Sequence, residues 1–225
     1  MPLEYQFPDP CSADADGLLA VGGDLSNESL ITAYSQGIFP WYDEHSPILW
    51  WSPDPRLVLF PGKFRVSTSL RQRIRSEIYK VRTDTDFEGV IRNCAAIKRN
   101  GQKGTWITEE MVHAYISLHQ IGLAHSFETY FDDKLVGGLY GVSLGRAFFG
   151  ESMFYHMRDA SKVAFCKLVD WAVQHEFHFI DAQQSTAHLQ SLGAEEISRI
   201  RFMKLLHEAL NYETLKGRWD LNVNL

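Results

Sequence analysis

SFETYFDDKLVGGLYGVSLGRAFFGESMF, residues 126–154, is the stretch whose reading decides the fold. It divides into three runs rich in aromatic and aliphatic side chains, 126–131, 135–145 and 146–154, joined by DDK and by Gly145–Arg146. Runs of this composition with joins this short predict an antiparallel meander. In a strand context Gly137, Gly138 and Gly141 mark close backbone approach rather than a phosphate cradle, and there is no P-loop or Rossmann fingerprint. Downstream, Asp159 is placed to cap an apolar helix through Val163, Ala164, Phe165, Leu168, Val169 and Ala172, and FIDAQ (179–183) follows as a strand. Upstream, helices are expected over 69–78, over 87–96, and from a Thr108 cap through Met111, Ala114, Tyr115 and Leu118 to Gly122. Helix, meander, helix, strand is an α+β layout with a mixed, largely antiparallel sheet.

The first sixty residues read differently, as turn-rich and aromatic segments around one short helix between Ser26 and Gly37. Prolines 53, 55 and 61 suggest a boundary, giving a small N-terminal α/β domain over 1–61 and a larger domain over 62–225.

With 225 residues, 45% of them apolar and 13% aromatic, the chain has material for a substantial core, which excludes a disordered polypeptide. The first residues lack the basic and apolar regions of a signal peptide, and no run nears the ~18 apolar residues of a membrane span. A cytoplasmic protein without a membrane partner is expected. Cys11, Cys94 and Cys166 are odd in number and scattered, and the nine histidines form no HExxH, so neither a disulfide framework nor a metal site is expected.

Net charge is −6, yet residues 56–103 hold twelve Lys and Arg against four acids, a local +8 that leaves −14 elsewhere. Such polarisation suits a protein that lays one face on phosphates, although a solvated basic helix around Arg71, Arg73 and Arg75 explains the same residues.

At the end of FIDAQ, Asp181 and Gln183 stand two apart, so strand geometry puts a carboxylate and an amide on one face and turns Ala182 to the other. Read alone, the polar cluster 181–186 is equally a turn and helix cap. Glu151, inside the apolar run of the meander, needs a partner or a raised pKa, and Arg146 and Arg158 are candidates.

The strings GLLAVGGDLS (17–26), GIFPWY (37–42), PILWWSPDPR (47–56), GTWIT (104–108), AYISLHQIGLAHSFE (114–128), LVGGLYGV (135–142), GESMF (150–154), DASKVA (159–164) and IDAQ (180–183) with HLQSLGA (188–194) resemble, in order, the bacterial leucyl/phenylalanyl-tRNA–protein transferases. The resemblance spans about residues 7–202 and is specific, because strings as unusual as WWSPDPR and GESMF occur together. It implies transfer of Leu or Phe, and also Met, from aminoacyl-tRNA to proteins beginning with Arg or Lys, marking them for degradation. It implies a larger domain like the GNAT acetyltransferases, no cofactor, and a monomer. By family position, Gln183 receives the attacking amine and Asp181 orients its amide; Glu151 meets the acceptor's cationic N-terminus. Leu139, Phe148, Phe165, Leu168 and Ile180 form the aminoacyl pocket, Trp41 and Trp106 hold the terminal adenosine, and Arg71, Arg73, Arg75 and Lys162 hold the tRNA backbone. The chain departs from the family in carrying Ala182 where cysteine is usual, which strand alternation makes a matter of packing.

Two other readings start from the same features. A CoA-dependent N-acyltransferase would share the fold, but SMFYHMRDASK (152–162) offers no glycine where pyrophosphate would sit. A non-catalytic RNA-binding protein accounts for the basic segment and gives no reason for Asp181, Gln183 and Glu151.

Overall fold

The computed structural model describes residues 6–97 and 106–221. The chain begins with β1 (Leu18–Val21), α1 (Asn27–Ser35), β2 (Phe39–Pro40) and β3 (Leu49–Trp51), the strands forming an antiparallel sheet in the order β1-β3-β2. The Ser26 hydroxyl accepts from the Ser29 N–H to start α1. The chain turns out of the helix through Gly37, whose φ of +71° and Cβ position 2.8 Å from the Phe202 ring both require glycine.

There follow β4 (Arg56–Leu59), α2 (Thr68–Arg75), β5 (Lys80–Thr83), α3 (Phe87–Ala96), α4 (Glu109–Gln120), β6 (Ala124–Phe131), β7 (Lys134–Leu144), β8 (Ala147–Tyr155), α5 (Ala160–Gln174), β9 (Phe179–Gln183), α6 (Ala187–Ser191), β10 (Glu195–Ile197) and α7 (Arg199–Leu210). The seven strands make one sheet, β10-β4-β9-β8-β7-β6-β5, antiparallel throughout except for the parallel pair β8–β9 across α5. The meander is therefore β6-β7-β8, and the sheet is mixed and largely antiparallel. Sheet membership changes between β3 and β4, a few residues before the expected boundary after residue 61.

Alternation along the strands sorts the core into two layers. Leu57, Leu59, Phe127, Leu139, Phe148 and Ile180 pack on one side with α5 and the C-terminal Trp219. Val58, Tyr140, Phe149 and Phe179 pack on the other with α1, α3, α4, α7 and the small sheet. No described helix is long and apolar enough to cross a membrane.

Two helix starts differ from expectation. The basic helix is Thr68–Arg75, not 69–78, because Ser67 caps it by accepting from the Leu70 N–H and Glu77, at φ +52°, turns the chain toward β5. Asp159 precedes α5 in a left-handed conformation without capping it, and its carboxylate takes Lys162 at 3.0 Å.

Between β7 and β8 the register skips, with Tyr140 opposite Ser152 and Gly141 opposite Gly150, which leaves Glu151 as the extra residue of a bulge. A Cβ on Gly141 would run into the Phe149 carbonyl and the Phe148 ring. Gly141→Ala is expected to cost about 1–3 kcal/mol or more by overpacking. Gly62→Ala, where a Cβ meets open space, should change little. Urea unfolding of the two variants beside the parent gives the comparison.

Candidate active site

Asp181 lies in the middle of the sheet with no solvent exposure, and a carboxylate there requires compensation. Arg56 of β4 supplies it through two parallel bonds, Nε to Oδ1 at 2.9 Å and an Nη to Oδ2 at 2.6 Å. The guanidinium is itself buried between the rings of Phe39 at 4.7 Å and Phe202 at 4.5 Å, and donates to the Gly37 carbonyl. Asp181 Oδ1 also accepts from the main-chain N–H of Gln183 at 2.9 Å. That bond fixes the turn at Gln183, where φ is +61°, unusual for a residue with a side chain.

The Gln183 amide is held by Glu151, its Nε2 donating to Oε1 at 2.8 Å, whereas Asp181 holds the main chain. The expected Asp181 contact to the amide is thus replaced by a contact from the bulge of β8. Glu151 pairs with neither Arg146 nor Arg158. Its other partners are two buried hydroxyls, Tyr34 of α1 on Oε1 at 2.7 Å and Tyr115 of α4 on Oε2 at 3.0 Å. Burial pushes the Glu151 carboxyl up to about 7, against the three hydrogen bonds that favour its charged form, and Asp181 pushes it the same way as burial. Tyr34 and Tyr115 are raised well above the ordinary phenol value, by burial first and then by Glu151. Neither tyrosine was legible as a site residue, since each occupies an apolar position of a helix.

Pairing of β8 with β9 ends at Phe149–Asp181, and a cavity of about 430 Å³ opens beyond it. Leu139, Phe165, Leu168 and Ile180 line its apolar wall together with Met153 and Ala182. Phe148 does not: it is fully buried behind that wall, tilted against Trp219 at 6.0 Å. Ala182 faces away from Asp181, as alternation requires, but this turns it into the cavity, so a position expected to be a matter of packing is part of the cavity surface. Trp41, Trp106, Glu151, Asp181 and Gln183 also line it, as does His188 of α6. Burial, and then the charge of Lys162, lower the pKa of His188.

The basic segment separates into parts. Arg56 belongs to the interior, Lys63 pairs with Glu195, Arg82 with Asp133, and Arg92 with Glu88 and Glu109. Lys98, Arg99 and Lys103 lie outside the described residues. Arg71, Arg73 and Arg75 of α2 have no acidic partner among the described residues, and Leu70 packs that helix beside Val163 and Cys166 of α5. Lys162, in the first turn of α5, is half-exposed and shared with Asp159.

A family model described as leucyl/phenylalanyl-tRNA protein transferase matches residues 58–207, and one described as the N-terminal domain of the same family matches residues 23–54. The leucyl/phenylalanyl-tRNA–protein transferase of Anaeromyxobacter sp. (strain Fw109-5) is 57% identical over 222 residues, 99% of this chain and 94% of that one. That of Desulfatibacillum aliphaticivorans is 57% identical over 215 residues, 96% and 92% of the two chains. A solved structure of L-PGS from Bacillus licheniformis overlaps 72% of this chain and 52% of its own at 12% identity and a TM-score of 0.39.

Arg56→Met leaves the Asp181 carboxylate buried without its counter-ion, and a loss of about 3–5 kcal/mol is expected. Arg56→Met combined with Asp181→Asn removes the stranded charge and should recover a large part of that loss. Equal destabilisation of the single and double variants in urea would show that the guanidinium stabilises by packing between Phe39 and Phe202 and not through Asp181.

Proposed function

This chain belongs to the leucyl/phenylalanyl-tRNA–protein transferase family, and we propose that its cavity binds the aminoacyl end of a tRNA and passes the amino acid to the N-terminus of a protein. The enzyme is an aminoacyltransferase. Its donors are Leu-, Phe- and Met-tRNA, its acceptors are proteins beginning with Arg or Lys, and the product is a protein marked for degradation in the cytoplasm. The observation that carries this reading is the convergence on one cavity of an apolar wall, two tryptophans and a hydrogen-bonded amide and carboxyl pair.

The reaction is aminolysis of an ester. The acceptor's α-amino nitrogen forms a bond to the carbonyl carbon, the bond from that carbon to the ribose oxygen breaks, and the ribose oxygen ends with a proton while the amine loses one. An α-amino group titrates at about 7.7–8.0, so a useful neutral fraction exists near pH 7 and position matters more than base strength. Gln183 supplies position. Because Nε2 is committed to Glu151, the amide oxygen is the end left to accept from the amine. Asp181 acts one step further back, holding the turn that presents Gln183.

Leu139, Phe165, Leu168 and Ile180 offer the donor side chain a surface without polar groups, supporting selection by shape. Trp41 and Trp106 present aromatic faces suited to the terminal adenosine, a stacking worth about 1–3 kcal/mol per base. The unpaired arginines of α2, beside the helix that bears Phe165 and Lys162, suit the acceptor-arm phosphates. The GNAT-like reading of the larger domain belongs to this proposal, supported by a meander followed by a helix and a strand parallel to the last meander strand.

Incubation with labelled Phe-tRNA and a protein beginning with Arg should give label resistant to mild alkali. Gln183→Ala should lower this transfer at least tenfold while aminoacyl-tRNA binding stays near the parent value, whereas Asp181→Ala, which strands the buried Arg56 guanidinium, should lower both transfer and stability. Parent-like transfer by Gln183→Ala would remove the amide from the reaction. Charge reversal at Arg71, Arg73 and Arg75 together should raise the KM for aminoacyl-tRNA and flatten its salt dependence by roughly 0.7–0.9 in log–log slope per lost phosphate contact. A short aminoacyl-adenosine donor should be unaffected, and equal damage to both donors would take the tRNA off this helix.

A further inference from the structure

The hydroxyls of Tyr34 and Tyr115 and the carboxyl of Glu151 form a closed triangle of oxygen contacts. Tyr34 to Tyr115 is 2.5 Å, Tyr34 to Glu151 Oε1 is 2.7 Å and Tyr115 to Glu151 Oε2 is 3.0 Å. Each of these separations lies within the range of an O–H···O hydrogen bond, and each such bond needs one proton. Two neutral tyrosines bring two. With an ionised carboxylate two hydrogens serve three contacts, so one contact is always bare: Tyr34–Tyr115 at 2.5 Å if both hydroxyls donate to Glu151, or Tyr115–Oε2 at 3.0 Å if Tyr115 donates to Tyr34. A third proton removes the conflict: Glu151 Oε2–H donates to Tyr115, Tyr115 donates to Tyr34, and Tyr34 donates to Oε1, which also receives the Gln183 amide. The ring then runs head to tail with one proton per contact.

The surroundings favour the neutral acid. Glu151 is faced by Tyr34 from α1, by Tyr115 from α4 with Tyr140 of β7 beside it, and by Gln183 and Asp181 from β9. Asp181 in that set is paired with Arg56. Among the described residues no Lys, Arg or His forms an ion pair with Glu151. Burial as the leading influence on this carboxyl agrees with the proton count.

We propose that the free protein carries Glu151 as a carboxylic acid whose proton closes the Tyr34–Tyr115–Glu151 ring, and that a cationic acceptor side chain entering the cavity displaces this proton. The inference rests on the reading of the acceptor as a protein beginning with Arg or Lys. The balance is simple: Glu151–COOH and the acceptor cation become a carboxylate–cation pair, and one proton leaves to buffer. Tyr34 and Tyr115 are positioning residues in this scheme. They set the pH at which the exchange occurs, and, Tyr34 through Oε1 and Tyr115 through Oε2, they keep Glu151 where it holds the Gln183 amide.

The free protein is tested first, by 13C NMR of glutamate carboxyls with the Glu151 resonance identified by its loss in Glu151→Gln. A midpoint above about pH 6 is expected, against ~4.3 for an ordinary glutamate. Tyr34→Phe opens the ring, leaving one Tyr115–Glu151 contact that the tyrosine's own proton fills, and should move that midpoint downward, a shift that loss of packing alone does not produce. A midpoint near the ordinary value overturns the proposal. Proton release is then measured by calorimetry in buffers of different ionisation enthalpy, using a peptide whose first residue is arginine with its α-amine replaced by hydrogen. About one proton released per peptide is expected near pH 6, falling toward none by pH 8, and none in Glu151→Gln. A raised midpoint with no release on peptide addition, in protein that still transfers phenylalanine to Arg-starting acceptors, overturns the exchange and leaves the transferase reading standing. Absence of transfer with the raised midpoint intact overturns the transferase reading instead.

Discussion

Burying a guanidinium and a carboxylate at the centre of a sheet is costly in desolvation, several kcal/mol per ion, and is tolerated only when nearly every polar atom finds a partner. Arg56 and Asp181 meet that condition through two parallel bonds to each other, a bond to the Gly37 carbonyl and a bond from the Gln183 main chain. Together these bonds tie β4, the turn after α1 and the end of β9 to one another. The rings of Phe39 and Phe202 close over the guanidinium from the small sheet and from α7. Much of the relation between the N-terminal elements and the larger sheet thus passes through one ion pair, and the geometry of Gln183 is one of its consequences.

The cavity exists because two neighbouring parallel strands stop pairing. A bulge at Glu151 changes the course of β8, and a left-handed residue at Gln183 ends β9. Both are local departures from regular strand geometry, and both lie at the residues that line the opening. Their side chains then bond to each other, so the gap in the main-chain ladder is bridged by an amide and a carboxyl instead of by backbone groups. Those side-chain atoms face the cavity, where a ligand can reach them.

Charge is partitioned with similar economy. Of the cations between residues 56 and 103, one stabilises the interior and several sit in exposed pairs worth little individually. Among the described residues, Arg71, Arg73 and Arg75, which make no such pair, lie together on α2, next to the helix that forms part of the cavity wall. A molecule of net −6 can therefore present a basic edge beside its opening.

The sequence by itself determined what depends on near neighbours. Alternation and short joins carried the meander, side-chain caps at Ser26 and Thr108 carried the starts of α1 and α4, and the helix over Phe87–Ala96 stands as its apolar spacing required. Glu151 stood out as a candidate because a carboxyl within an apolar run has to be satisfied by something, and Asp181 and Gln183 stood out as a polar pair at a strand end that a turn or cap explained equally well. What satisfied them was not legible. Arg56 lies 125 positions from Asp181, Tyr34 lies 117 from Glu151 and Tyr115 lies 36 from it, and nothing local marks an arginine in a proline-rich segment or a tyrosine on an apolar helix face as a partner. Phe148 and Ala182 exchanged their expected standing for the same reason: alternation fixes which face of a strand a side chain takes, whereas the end of strand pairing decides whether that face meets packed core or open cavity. Tertiary structure alone decides such matters, because burial and hydrogen-bond demand are settled by whichever distant groups the folded chain brings within about 3 Å.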